Sequence, residues 1–388
     1  MAVACATASV GCRSCDDKKA GPKRPAPVSV GIEPARAAYV TNNGSDSVSV
    51  VDRLGTTVTT VSMDLDPARH EAPHHVAVHA ATGRAFVALA YPPEPGKKRD
   101  PHAAHGKSED RGQLLRLDLK TLSVDAERDV DESPGEVILT RDGKKVIVTH
   151  YDMKRAMDVA AKGGASPATM FARILVFDAA SMSLAGERPL CVAPHGAATT
   201  PDDRAVLVAC YGSDELAIVD LTKPELPVSR HPLGGTPGVP GVPRYGPYSV
   251  AISPNGRVAV VADLESSDLR VFDLDKRAFR SDSDVALGSR AFLPAFADDA
   301  AVLVPLQSPD GLARVRVDTR AVEAKVAYEK GECELPHAVR FAKDGRAYVV
   351  CEGDHKAPGA ILEVDPKTLA TKRRWVVGVY PDGIDFGD

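Results

Sequence analysis

The chain has 388 residues, 48 basic against 53 acidic, and a formal charge of −5. That balance argues against nucleic acid or an anionic membrane surface as the main partner, since both need a basic face. No apolar run reaches the 18 or so residues of a membrane helix, and aromatics at 5% are too scarce for a stacking platform.

Residues 1–34 stand apart from the rest. Met1 to Gly11 is small and mildly apolar, and Ser9-Val10-Gly11-Cys12 resembles a lipoprotein cleavage box with Ser9 in the usual Leu place. This start lacks the basic beginning and the length of a full signal peptide. Asp16 to Pro27 is polar, charged and Pro-rich, as a tether would be. The expectation is a signal or lipoprotein-like segment with lipidation at Cys12, a flexible tether, and an extracytoplasmic, lipid-anchored protein. Cys12-Arg13-Ser14-Cys15 has no following His and is not a haem attachment site.

From residue 35 onward the chain repeats. Seven β-branched runs end in Asp, at Asp52, Asp118, Asp178, Asp220, Asp273, Asp318 and Asp365. Such an Asp can bond the backbone two residues on and open a turn. Ahead of the later runs stands a second signature: a Pro, alternating apolar positions, a tight turn, and another apolar run. The Pro residues are Pro73, Pro134, Pro194, Pro247 and Pro336, and Arg290 takes the place in the sixth unit. Turns such as Asn255-Gly256 and Asp344-Gly345 supply the positive φ that a hairpin demands. Each unit therefore reads as four antiparallel strands, A to D. Seven units predict an all-β, seven-bladed β-propeller. The first unit begins at strand B, Ala38 to Thr41, and the chain ends on a strand A pattern, Pro381 to Phe386. The C-terminal strand is expected to join the N-terminal blade and close one domain over residues 35–388.

Three interruptions fall on the face where strand B ends. They are a polar insertion from Pro92 to Gly112 with His102 and His105, one from Asp152 to Ala172 with a helix-like stretch Met153–Ala161, and a Gly/Pro-rich crossing from Gly234 to Gly246 before Tyr245-Gly246-Pro247-Tyr248. Binding residues concentrate on loops held by rigid scaffolds, so this B–C loop face is the expected ligand face. His74, His195 and His337 each follow a strand A Pro, and His150 ends a strand B on the same side. Imidazoles around one channel mouth suit Zn or Cu. Strand parity, however, sets His74 in line with Val76 and Val78 between blades, and their blades are not neighbours. Interblade packing is the simpler reading, with metal and then acid–base chemistry behind it, and His102 and His105 read as solvated. Asp263, Glu352 and Asp354 end strand B and could line the mouth, although a solvated loop role is simpler.

Cys191 and Cys333 lie three residues before a strand A Pro, and Cys210 and Cys351 end the following strand B. Two disulfides, Cys191–Cys210 and Cys333–Cys351, are the simplest reading, and they fit an oxidising compartment. The alternative is a pair of Cys–His metal clusters with His195 and His337. No Gly-x-Ser-x-Gly, Walker, HExxH or CxxCH motif is present.

Tyr39-Val40-Thr41-Asn42-Asn43 with Val48–Asp52 behind it, and Pro247-Tyr248-Ser249-Val250-Ala251-Ile252-Ser253-Pro254-Asn255-Gly256-Arg257, resemble the repeat of the YVTN-type β-propellers. The resemblance covers nearly all the chain after residue 35. It implies an extracytoplasmic propeller whose relatives include surface-layer proteins, lactonases, and haem- or copper-bearing propellers of denitrification enzymes; it speaks for fold more than for function. The expected role is a monomeric binding module engaging a protein or small ligand through the B–C loop face, at His74, His150, His195, Tyr245, Tyr248, Asp263, His337 and Glu352. A propeller holding Zn or Cu on His74, His195 and His337 is the second reading, and a lactone hydrolase the third.

Overall fold

The computed structural model describes residues 29–93, 105–163, 166–281 and 284–388. The expected Cys12 lipidation site, the start of the tether and His102 lie outside them. The described residues form seven antiparallel sheets in sequence order around an axis. Blade 2 shows the plan: strand A (Pro73–His79), B (Arg84–Leu89), C (Arg111–Asp118) and D (Val124–Glu132), each paired to the next. Strands B and C are buried on both faces, because each blade packs against two neighbours. They read as near-continuous apolar runs such as Ala205–Cys210 and Val258–Asp263. Strand D lies on the rim and alternates exposed with buried residues, as in Thr371–Val379.

Closure occurs as expected. Pro381–Phe386 pairs with Ala37–Asn42, setting Ala38 opposite Phe386, Tyr39 opposite Asp385 and Val40 opposite Ile384. The sheet that begins the propeller is thereby completed by the end of the chain, and that inner edge is covered. Four of the seven aspartates act as predicted: Asp52, Asp118, Asp220 and Asp365 each accept the amide two residues on at 2.9–3.0 Å, while Asp178 and Asp273 accept the amide three residues on. Asp318 departs, accepting from Thr319 and pairing with Arg316. The helix forms at Met153–Ala161, with Asp152 accepting from the Arg155 amide at its N-terminus. Both disulfides, Cys191–Cys210 and Cys333–Cys351, are present. No helix among the described residues is long and apolar enough to cross a membrane.

The entrance to strand A departs from regular pairing. The residue before each strand A Pro is left-handed: Ala72, Ser133, Ala193, Gly246, Leu335 and Tyr380 have φ of 49–63°. After the Pro, the strand carries one extra residue relative to its partner. Pro73 lies opposite Leu89, but Val76 lies opposite Val87; blades 3, 4, 5 and 7 show the same shift. A bulge re-aims side chains, and here it turns the residues after the Pro toward the axis. In blade 6 strand A is broken into Arg290–Ala291 and Ala295–Phe296. Between these pieces, Leu293 pairs in parallel with Ala338 of blade 7. The Leu293 amide donates to the His337 carbonyl and the Val339 amide to that of Leu293, both at 3.0 Å.

Candidate metal centre

The position after the strand A Pro carries His74, Gly135, His195, Tyr248, His337 and Asp382 in blades 2, 3, 4, 5, 7 and 1. In blade 6, where strand A breaks after Ala291, Phe292 faces the site instead, its ring 5.5 Å from Tyr248 and 5.4 Å from His337. The strand parity that set His74 and His337 between blades fails, because the bulge falls between the Pro and the regular part of the strand. Non-adjacency of the blades is no obstacle either, since the inner strands converge. The rings of His74 and His195 are 5.9 Å apart. His75, a neighbour the sequence reading passed over, joins them at 4.4 Å from His74, 5.8 Å from His195 and 6.3 Å from His337.

These side chains are buried: His195 is 0% exposed, His337 1%, and His74 and His75 2% each. In all four an acceptor faces Nδ1, and in His74, His75 and His195 this leaves Nε2 as the lone-pair nitrogen. His74 Nδ1 donates to Asp382. His75 Nδ1 stands 3.1 Å from Glu136 Oε1, and His195 Nδ1 donates to the Tyr248 carbonyl at 3.2 Å. A carboxylate or carbonyl behind the ring is the usual partner of a metal-binding imidazole. Nε2 of His74 and of His75 are buried with no hydrogen-bond partner. His195 Nε2 faces His105 Nε2 at 3.1 Å. His337 Nδ1 bonds Glu352, whose other oxygen meets His355 Nε2 at 2.6 Å; His337 Nε2 lies 3.1 Å from Asp382 Oδ1.

Burial, reinforced by the neighbouring imidazoles, pushes His75 and His195 well below the usual histidine range, so both are neutral at pH 7 and in the form that binds metal. Burial acts to raise the carboxyl of Asp382, but His74 and His337 outweigh it and hold the group below its ordinary value. Glu136 goes the other way: burial dominates over the nearby Arg340, and its pKa rises to about 7. Two sets, His74/His75/His195 and His75/His337/Asp382, each bring three ligand atoms within 4.8 Å of one another. Ligands 2.0–2.2 Å from one Zn or Cu ion stand about 3–4 Å apart, so modest closure satisfies either set.

On the B–C side the cluster is roofed by aromatic side chains. His105, from the blade 2 insertion, stacks on Tyr151 at 4.7 Å and lies 4.6 Å from His74. Blade 3 offers only Gly135 at this level. A Cβ there would stand 3.1 Å from the Pro194 carbonyl and Thr149 Oγ1, so the neighbouring strand approaches too closely for a side chain. Tyr248 stacks on His195 at 3.8 Å.

The remaining sequence candidates lie elsewhere. His150 ties blade 3 to blade 2, donating from Nδ1 to the Arg173 carbonyl of its own blade at 2.7 Å and accepting the Asp131 amide of blade 2 at 3.2 Å. Tyr245 lies under Arg270 at 4.1 Å, and Asp263 pairs with the same Arg270 at 3.1 Å. Asp263 and Glu352 are both fully buried, which corrects their reading as solvated loop acids; Arg270 covers the first, and His337 and His355 the second. His105 is likewise part of the cluster rather than solvated. The Cys–His clusters do not form, because all four sulfurs are in disulfides. Asp382 and His75 had a signal in the sequence: Asp382 occupies the repeat position of the three histidines, and His75 adjoins His74.

No family model matches this chain, and no curated protein matches it. Similarity appears among solved structures. Hydrazine synthase of Kuenenia stuttgartiensis is 15% identical over 81% of this chain and 89% of its own, with a TM-score of 0.59. A functionally unknown protein from Desulfotomaculum acetoxidans is 11% identical over 90% and 98%, with a TM-score of 0.63. Dihydro-haem d1 dehydrogenase NirN in complex with DHE is 15% identical over 94% and 78%, with a TM-score of 0.54. At these identities the likeness establishes the fold: the chain is a seven-bladed β-propeller.

Proposed function

We propose that the axial cluster binds a transition-metal ion, copper or zinc, and that the chain is a metal-carrying propeller. One observation carries the reading: the Nε2 atoms of His74 and His75 are buried without a hydrogen-bond partner, among further ligand atoms within 4.8 Å. A buried polar atom left unpaired costs about 1–3 kcal/mol, and coordination removes that cost. Neutral imidazoles suit copper and zinc alike. His74, His75 and His195 would hold the ion, and Asp382 and Glu136 would fix ring orientation from behind. The aromatic roof of Tyr151, Tyr248 and His105 excludes water from the B–C side. Copper there would supply one-electron chemistry, zinc a Lewis acid. The Tyr39–Asn42 sequence supports a place among YVTN-type propellers, and the two disulfides support work outside the cytoplasm, with Cys12 as the anchor.

The test is metal retention. Protein loaded with Cu(II) or Zn(II) and dialysed should keep about one ion per chain and resist unfolding; at one hundred times Kd the gain is about 2.7 kcal/mol. His75→Gln and His195→Gln should lose the ion while keeping the wild-type circular dichroism. Folded wild-type protein that retains neither metal overturns the reading.

A further inference from the structure

The axis has a second end. Below the histidine cluster, on the side of the A–B turns, a cavity of about 410 Å³ opens between the outer halves of the inner strands. Val78, Ile138, Leu139, Ala198, Ile252 and Phe296 form much of its wall, so five of the blades contribute apolar surface. Arg340 also lines it and reaches its inner end, where Nη2 lies 3.7 Å from Glu136 Oε1. That separation is too long for a hydrogen bond, and the same oxygen faces His75 Nδ1 at 3.1 Å. Nη1 of the same guanidinium donates to the Val339 carbonyl at 3.3 Å. Its side chain is 32% exposed. Asp385, the other acid lining the cavity, accepts the Val78 amide at 2.6 Å. Arg141 and His79 belong to the A–B turn end of the lining.

We propose that this vestibule binds a small monocarboxylate with an apolar body. A guanidinium presents paired donors that match a carboxylate in two parallel hydrogen bonds. A pocket of several hundred Å³ with apolar walls and few polar groups is the usual form of a small-molecule site. The ligand's body lies against the valine, isoleucine and phenylalanine walls, and its carboxylate meets Arg340. Glu136 and Asp385 flank that cation and disfavour a second negative charge, which selects monoanions over dianions. The inference does not require a bound metal, because Arg340 and the apolar wall lie outside the set of proposed metal ligands, although Glu136 borders both sites.

The test uses chelator-treated wild-type protein, on which the metal reading makes no prediction. Benzoate is titrated calorimetrically, with neutral benzamide as the matched control. Benzoate should bind, benzamide should bind at least tenfold more weakly, and phthalate should gain nothing over benzoate. Arg340→Met should weaken benzoate at least tenfold. Ala198→Trp, which narrows the vestibule from its blade 4 wall, should abolish binding and serves as the deciding variant should Arg340→Met not fold. Absence of benzoate binding, equal affinity for benzamide, or benzoate binding unchanged in Ala198→Trp overturns the proposal.

Discussion

Two buried polar clusters invite comparison, one in blade 5 and one on the axis. In blade 5, Arg270 is held by Asp263 at 3.1 Å, Asp268 at 3.0 Å and Asp284 at 3.3 Å, and its guanidinium lies over Tyr245. Asp263 Oδ1 has no hydrogen-bond partner, and burial with Asp268 beside it pushes that carboxyl well above the usual range. One guanidinium there holds three carboxyl groups together. On the axis, His74, His75 and His337 share the carboxylates of Asp382, Glu136 and Glu352, His195 is held by the Tyr248 carbonyl, and Nε2 of His74 and of His75 are left over. The first arrangement is gathered around a cation of the protein's own. The second is a set of donors aimed at a common point, and that difference separates a structural network from a ligand site.

The comparison can be broken by stability measurements. Arg270→Met leaves buried aspartates without their cation and should cost about 3–5 kcal/mol in urea unfolding. His75→Asn, whose amide stands where Nδ1 does and can keep the Glu136 contact, should cost far less in metal-free protein, because the Nε2 it removes had no partner. Equal losses would make the axial cluster a structural network like its counterpart. Next in size are the disulfides. Replacing Cys333 and Cys351 together by Ala opens a loop of 18 residues and should cost about 3 kcal/mol on the chain-entropy account, leaving metal retention unchanged. Loss of metal in that variant would bring the sulfurs back into the site.

A smaller effect concerns pH. Burial raises Asp385 from 3.8 to about 6. Below pH 3.8 the carboxyl is neutral in both states and contributes no difference. As pH rises from there to about 6, the unfolded chain ionises first and the folded state loses stability, up to about 2–3 kcal/mol above pH 6. Asp385→Asn, whose amide oxygen can still accept the Val78 amide, should therefore be more stable than wild type at pH 8 and close to it at pH 3.5. A variant equally destabilised at both values would contradict the assignment.

Much of the architecture is legible in the repeat: the seven closing aspartates, the Pro-led inner strands, the paired cysteines and the return of Pro381–Phe386 to Tyr39. These are local signals, governed by turn chemistry and by apolar runs whose period a sequence displays. The site was legible only in part. His74, His195 and His337 stand out by position, but parity misdirects their side chains, since an inserted residue after each Pro is invisible to periodicity. The burial of Asp263 and Glu352 depends on Arg270, His337 and His355 folding over them, and the place of His105 on a loop returning across blade 3. Such contacts are set by the ring as a whole.

The most direct measurement of the central claim is anomalous diffraction at the copper or zinc edge from crystals of metal-loaded protein. The account predicts one axial peak bonded to Nε2 of His74, His75 and His195 at about 2.0–2.1 Å. A peak confined to exposed histidines, or none on the axis, would contradict it.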